Sequence, residues 1–218
     1  MIKKILKTGV FITLEGGEGA GKSTHTQLLA EYFQQQGHDV LLTREPGGVS
    51  TSEKIREIIK KKDLPKTPLT ELLLFEAARS QYTAELVRPA LEEGKIVISD
   101  RFYDSTVVYQ GYAGGLPITL IERMNSLATD NLVPDLTFII NVPLEIGLER
   151  TKKAEGPDFM DAKGREFHRK VYEGFRGLVT PSTMYPTGRM IPIEYIDNNV
   201  DEMQEKMRRV ISEYLNKN

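Results

Sequence analysis

The chain contains no cysteine, which excludes disulfides, thiolate metal sites and a cysteine nucleophile. It has no long apolar run: the longest extend over a few residues, far short of the roughly 20 that a membrane-spanning helix needs. Only three histidines occur, His25, His38 and His168, and their wide spacing forms no metal-ligand pattern. An excess of basic charge is missing as well. Lysine and arginine total 29 against 31 aspartate and glutamate, a net charge of −2. Polynucleotide binding driven by the whole surface is therefore disfavoured, although a small anion could still occupy a local basic pocket. Near the N-terminus Lys7 breaks the apolar stretch after only Ile5 and Leu6, so no secretory signal is expected and the expected location is the cytoplasm. What remains is 218 residues, 39% hydrophobic and 28% charged, the balance of a soluble protein. That length suits a single domain over 1–218 with an ample core.

Short apolar runs alternate with amphipathic helical stretches. Strands are predicted at 10–14, 39–43, 96–99, 136–140 and 193–196. Helices are predicted from Lys22 to Gln36 with Gly37 as the C-terminal cap, through 50–58, from Pro68 past Phe75 to Leu91, over 117–128, from Pro143 to Lys153 and up to Val179. Ser50 and Glu53 have the spacing of a capping box, and Asn199 is placed to cap the last helix. Residues 154–160 read as a mobile loop. Buried strands alternating with helices imply an α/β fold with a parallel sheet covered on both faces. Ligands bind such sheets at the carboxyl ends of the strands, here after Leu14, Thr43, Ser99 and Ile140.

The first of those positions carries Gly16-Gly17-Glu18-Gly19-Ala20-Gly21-Lys22-Ser23, which matches G-x-x-x-x-G-K-[ST]. Glycines let successive N–H groups turn toward phosphate oxygens, and the following helix adds its positive N-terminus. Lys22, expected at the surface of a cleft, reaches the β- and γ-phosphates, and the Ser23 hydroxyl ligates Mg²⁺. The match lies between a predicted strand and a predicted helix, so the ligand class is a nucleoside triphosphate such as ATP.

The other strand ends add Arg44-Glu45-Pro46-Gly47-Gly48 and Asp100-Arg101. Asp100 is placed to act on Mg²⁺, and an arginine fork suits a phosphate dianion. Phe75 and Arg79, four apart, share a helix face. On periodicity alone they read as a core aromatic and a surface arginine. The run from Asp104 to Gly111 is rich in short donors and acceptors, which a polar helix start would also explain.

Taken together, Glu15-Gly16…Gly21-Lys22-Ser23, Thr43-Arg44-Glu45-Pro46-Gly47-Gly48, Leu74-Phe75-Glu76-Ala77-Ala78-Arg79, Asp100-Arg101 with Ser105-Thr106…Tyr109-Gln110-Gly111, and Pro134-Asp135-Leu136 resemble bacterial-type thymidylate kinases over nearly the whole chain. The resemblance implies a P-loop NTPase three-layer fold with a five-stranded parallel sheet flanked by helices. It implies transfer of the ATP γ-phosphoryl to dTMP with Mg²⁺, giving dTDP, by a homodimer. It further implies that Glu18 contacts the sugar 3′-hydroxyl, Phe75 stacks on thymine and Arg79 bonds a thymine carbonyl. Arg101 takes the position that binds the dTMP phosphate, and Thr106 and Gln110 fall in the base-contact segment. Tyr109 crowds the sugar 2′ position, while Arg44 and Pro46 line the same cleft. Arg150, Lys152 and Lys153 precede a lid at about 150–166 and are candidates for ATP contacts.

Two rival classes carry weaker signals. A GTP-hydrolysing switch would need guanine-reading chemistry such as Asn-Lys-x-Asp, which is absent. Another monophosphate kinase would lack the paired Phe75/Arg79 and the 105–110 set. One departure from the family stands out. The lid usually carries Asp-Arg-hydrophobic-acid, whereas this chain reads Asp158-Phe159-Met160-Asp161. The missing cation is expected to come from Arg150, Lys152, Lys153, Arg165 or Arg169.

Overall fold

A computed structural model of the chain describes residues 6–153, 159–160, 163–179, 188–197 and 199–217. The expected mobile loop therefore lies largely outside the described residues. Five strands form one sheet: β1 (Val10–Glu15), β2 (Val40–Arg44), β3 (Ile96–Asp100), β4 (Leu136–Asn141) and β5 (Met190–Glu194). Their order is β2-β3-β1-β4-β5 and every pairing is parallel, so the phosphate-loop strand β1 sits in the middle. The helices are α1 (Lys22–Gln35), α2 (Ser50–Lys60), α3 (Pro68–Tyr82), α4 (Arg88–Glu92), α5 (Tyr103–Thr106), α6 (Ile118–Thr129), α7 (Leu144–Lys153), α8 (Arg165–Leu178) and α9 (Val200–Lys217). Two π-helical segments, Thr83–Val87 and Val107–Ala113, continue α3 and α5. Among the described residues no helix is long and apolar enough to cross a membrane.

The pleat divides the core. Val10, Ile12 and Leu14 pack with Leu29 and Phe33 of α1 and Met207 and Ile211 of α9. Phe11 and Val97 face the opposite side, against Tyr82, Val87 and Phe102. That second layer extends through Leu72, Val108, Ile121 and Phe175. On the same face the Thr13 and Thr137 hydroxyls pair at 2.9 Å, which satisfies two polar groups that burial would otherwise strand. The three-layer α/β expectation is thus met.

Several local expectations are met and two need correction. Thr67 caps α3 by accepting from the Thr70 N–H, with Pro68 at the first helical position. Gly37 has φ +90°, as a residue just past a helix end requires. Asn199 Oδ1 accepts from the Glu202 N–H at 3.1 Å. The Ser50–Glu53 capping box does not form: Val49 is the cap residue, and Glu53 instead accepts from the Gly48 N–H at 2.8 Å and from Arg44 at 2.9 Å. The tight turn at Gly47-Gly48 brings that N–H to the carboxylate before the helix begins. The last strand runs from Met190 to Glu194 rather than over 193–196. Pro192 interrupts the strand pattern in sequence, yet it is tolerated on this edge strand, where one side of the backbone has no ladder to complete.

Asp135 ties β1 to the C-terminal helix. Its Oδ2 accepts from the Phe11 N–H at 2.8 Å and its Oδ1 from the Tyr214 hydroxyl at 2.7 Å. Asp135→Ala leaves that N–H without its partner and should cost about 1–3 kcal/mol of stability. Urea unfolding should show a lower midpoint, with the Michaelis constants of the folded variant unchanged.

Candidate active site

The phosphate loop follows β1 directly and is seated against α7. At Gly19, with φ +67°, an added Cβ would stand 2.2 Å from the Gly147 carbonyl oxygen, so both the backbone conformation and the close approach demand glycine. Lys22 corrects its expectation: it is buried, not surface-lying, and Nζ donates to the carbonyls of Gly16 at 3.1 Å and Gly17 at 2.9 Å. Burial, helped by repulsion from Arg101, pulls its ammonium down to about 8. The Ser23 hydroxyl donates to Asp100 Oδ2 at 2.5 Å, which brings the two sequence-predicted metal residues together. Two touching oxygen donors fit Mg²⁺, which takes one or two protein oxygens and completes its shell with water and phosphate. Among the described residues no group of three or more His, Cys, Asp or Glu is poised to hold a metal by itself.

A cleft of about 370 Å³ opens beside the loop. Glu18, Arg44, Pro46, Phe75, Arg79, Arg101, Thr106, Tyr109 and Gln110 all line it. Arg101 lines it from a left-handed backbone conformation, φ 74°. Such a conformation costs a non-glycine residue about 1–3 kcal/mol and persists only where the surroundings impose it. Here its N–H donates to Leu14 O at 3.0 Å and its carbonyl accepts from the Ser99 hydroxyl at 2.7 Å. The guanidinium then reaches Gly16 O at 3.2 Å, the Ser105 hydroxyl at 3.1 Å and both Glu18 oxygens at 3.1 and 3.2 Å. Tyr109 completes the cluster by donating to Glu18 Oε1 at 2.7 Å. Burial alone would raise Glu18, but Arg101, Lys22 and the Tyr109 hydroxyl hold it down to about 2. Glu15, buried at the end of β1, anchors the segment from beneath: its carboxylate accepts from the Phe102 N–H at 2.7 Å and the Ser105 hydroxyl at 2.6 Å. Burial and the neighbouring Asp104 raise it to about 7.

Periodicity assigned Phe75 and Arg79 the wrong way round. Arg79 is 2% exposed, while Phe75 is half-buried at the cleft wall. The guanidinium donates to Glu45 at 2.9 Å, Glu76 at 2.6 Å, Asn125 at 3.1 Å and the Phe102 carbonyl at 3.4 Å. Glu45 Oε1 and Glu76 Oε2 have no hydrogen-bond partner among the described residues. With one cation between two buried carboxylates, burial outweighs Arg79 and lifts Glu45 to about 8. Thr106 also donates to Asn125, at 2.9 Å. Asp104, in the short-polar run, has a structural role: its carboxylate forms a two-pronged pair with Arg189 at 2.8 and 2.9 Å, which fastens α5 to the start of β5.

The expected lid cations are not brought to the cleft. Arg150 touches the phosphate loop through Gly19 O at 3.3 Å and lies over the Tyr195 ring. Lys153 is exposed and pairs with Glu149, Arg165 pairs with Glu145, and Arg169 pairs with Glu166 and Glu173. Lys152 is exposed at the end of α7. Gly156, Pro157, Asp158 and Asp161 lie outside the described residues, but Met160 forms part of the cleft wall. The cations that sequence reasoning missed are Arg56 and Lys60 on α2, which line the cleft together with Ile59. Their four-residue spacing was a readable signal, but nothing local shows that this face turns inward. No local pattern marks Glu45 in its motif as a partner for Arg79, and the signal for Asn125 is a polar residue on the apolar face of α6.

A model of the thymidylate kinase family matches residues 14–191, from the end of β1 into β5. The chain belongs to the thymidylate kinase family. The thymidylate kinase of Gloeobacter violaceus is 41% identical over 211 residues, covering 96% of this chain and 97% of that protein. That of Synechococcus sp. strain JA-3-3Ab is 47% identical over 169 residues, 78% of this chain and 81% of the relative. The crystal structure of thymidylate kinase from Ehrlichia chaffeensis superposes with a TM-score of 0.75 at 33% identity, covering 94% of this chain and 99% of that one. The fold is therefore that of the thymidylate kinases. The chain is an ATP-dependent phosphotransferase, a nucleoside monophosphate kinase that phosphorylates dTMP.

The carboxylates of the cleft give this thymidylate kinase two opposed pH dependences. Glu18 is lower in the folded than in the unfolded chain, about 2 against 4.5. Its contribution is complete above pH 4.5 and lost as pH falls toward 2. Glu15 and Glu45, at about 7 and about 8, hold protons that the unfolded chain releases, so stability declines as pH rises from 4.5 to 8. Urea midpoints against pH should show Glu18→Gln flattening the acid limb and Glu45→Gln flattening the rise-side loss, each leaving the other limb in place.

Proposed function

We propose that the cleft holds its two anionic substrates end to end, with the ATP phosphates in the loop 16–23 and dTMP between Phe75, Arg79 and Tyr109. The observation that carries this reading is the position of Arg101, whose guanidinium contacts both the loop carbonyl of Gly16 and the Glu18 carboxylate at the entrance to the base pocket. A group at that seam can bind the dTMP phosphate beside the γ-phosphoryl. Lys22 lies on the other side of the seam and gives up its two carbonyl partners when phosphate oxygens arrive. Arg150 supports the loop at Gly19.

Phosphoryl transfer spreads charge over the equatorial oxygens, and the acceptor is already a phosphate anion, so no strong general base is needed. The protein's work is to align two anions and neutralise them. Ser23 and Asp100 would hold Mg²⁺, which supplies further charge neutralisation on the ATP phosphates when bound. Glu18 orients the sugar 3′-hydroxyl, and Tyr109, locked to Glu18 and Arg101, presents its ring to the 2′ carbon. Phe75 stacks on thymine and Arg79, held by Glu45 and Glu76, offers an N–H to a thymine carbonyl. Homodimerisation is also part of this reading. What supports it is that Leu69 and Leu73 of α3 and Leu120 and Leu127 of α6, which pack side by side, remain exposed. Apolar area left on adjacent helices suits burial against a second copy.

Coupled turnover with ATP against dTMP, dUMP, UMP, CMP, AMP and GMP tests the substrate assignment, and only dTMP should turn over efficiently, with dUMP second. Lys22→Ala should lower the catalytic constant on the order of 10²-fold or more. Phe75→Ala should raise the Michaelis constant for dTMP about tenfold, within the range for loss of a base stack, and leave that for ATP unchanged. Asp100→Asn should raise the Mg²⁺ concentration needed for half-maximal turnover. Equal turnover of all six acceptors would overturn the base-pocket assignment. Sedimentation should give a dimer that Leu73→Glu dissociates.

A further inference from the structure

Gln110 reaches the cleft from the π-helical segment after α5 and is 1% exposed. Among the described residues its side chain makes one hydrogen bond, Nε2 donating to Glu71 Oε2 at 3.2 Å. Glu71, in the first turn of α3, is buried as well. Its second donor is Lys163 at the entry to α8, whose Nζ stands 2.8 Å from both carboxylate oxygens. Lys163 lies over the rings of Phe167 at 4.6 Å and Phe159 at 5.1 Å, and Lys66 covers Phe159 at 4.1 Å. A continuous chain of contacts thus runs from Lys163 through Glu71 to the amide of Gln110 and so to the cleft.

An ionised carboxylate only accepts hydrogen bonds, so it dictates which end of an amide turns toward it. Gln110 must give its NH₂ to Glu71, and the carbonyl Oε1 is the end left for the cleft. Lys163, 2.8 Å from both carboxylate oxygens, pairs with Glu71 and fixes where that acceptor stands. The orientation matters for base recognition: thymine presents an N3–H donor, whereas cytosine presents a bare N3 acceptor.

We infer that Glu71 is a positioning residue for base selection, which locks the Gln110 carbonyl toward the N3–H of thymine, and that Lys163 holds Glu71 in place to do so. This rests on the proposed dTMP site and on the expectation, carried by the resemblance, that Gln110 falls in its base-contact segment. The Phe159 ring carries both Lys66 and Lys163 over it and so belongs to the same assembly.

The test compares kcat/KM for dTMP and for dCMP in wild type, Glu71→Gln, Lys163→Met, Lys163→Arg and Gln110→Ala, each checked by thermal melting. Glu71→Gln presents an amide that can meet Gln110 with either end, so the dTMP-to-dCMP ratio should narrow roughly tenfold or more. Lys163→Met should narrow it in the same direction, Lys163→Arg should keep it, and the Michaelis constant for ATP should stay unchanged throughout. If Glu71→Gln does not fold, Lys163→Met with its arginine rescue decides the matter, since that side chain is partly exposed. A ratio within twofold of wild type in the folded variants, or a loss of turnover shared equally by both acceptors, overturns the inference. If Gln110→Ala leaves the dTMP Michaelis constant unchanged, the placement of Gln110 at the base fails and the inference fails with it. Failure of wild type to phosphorylate dTMP would instead strike the substrate assignment itself.

Discussion

Everything in the cleft depends on keeping Arg79 and Arg101 charged and aimed while both are removed from water. An unpaired buried guanidinium is too costly to sustain, so the fold surrounds each with carboxylates before any substrate arrives. Arg101 has Glu18, and Glu15 holds its backbone segment from below. Arg79 has Glu76, and Glu45 as a further hydrogen-bonding partner. The carboxylates come from β1 and the phosphate loop that follows it, the loop after β2, and α3, so the ion pairs also fasten the carboxyl edge of the sheet to the helices above it. Left-handed φ at Arg101 is part of the same economy, because it turns the side chain back over the loop that ends β1.

Cations held in this way by protein side chains keep their geometry, and on the proposed reading an incoming phosphate replaces an existing partner of Arg101. At Glu71 a charge pair with Lys163 likewise holds a neighbouring group, the amide of Gln110.

Part of the site was legible in the sequence because its chemistry is local. The phosphate loop is one contiguous turn whose glycines and lysine must be adjacent to wrap a phosphate. The residues after β1, β2 and β3 could be placed because parallel strands share a carboxyl edge. The fourth strand end, after Ile140, leads instead into α7, which supports the loop from behind. The lid cation was not legible in this way: five cations were equally plausible, and among the described residues none of the five lines the cleft, Arg150 contacting Gly19 O and the others pairing with acidic side chains or facing solvent.

The sequence by itself determined the alternation of strands and helices, the phosphate loop and the family, since these depend on periodicity, turn chemistry and ordered motifs along the chain. The tertiary structure alone decided that Arg79 is buried and Phe75 partly open, that Lys22 lies inside, that Arg56 and Lys60 face the cleft, and that Lys163 meets Glu71. The physical reason is common to all four. A helical face has no inside or outside until another element packs on it, and whether a charge can be buried depends on a countercharge that may stand 92 positions away, as Glu71 does from Lys163.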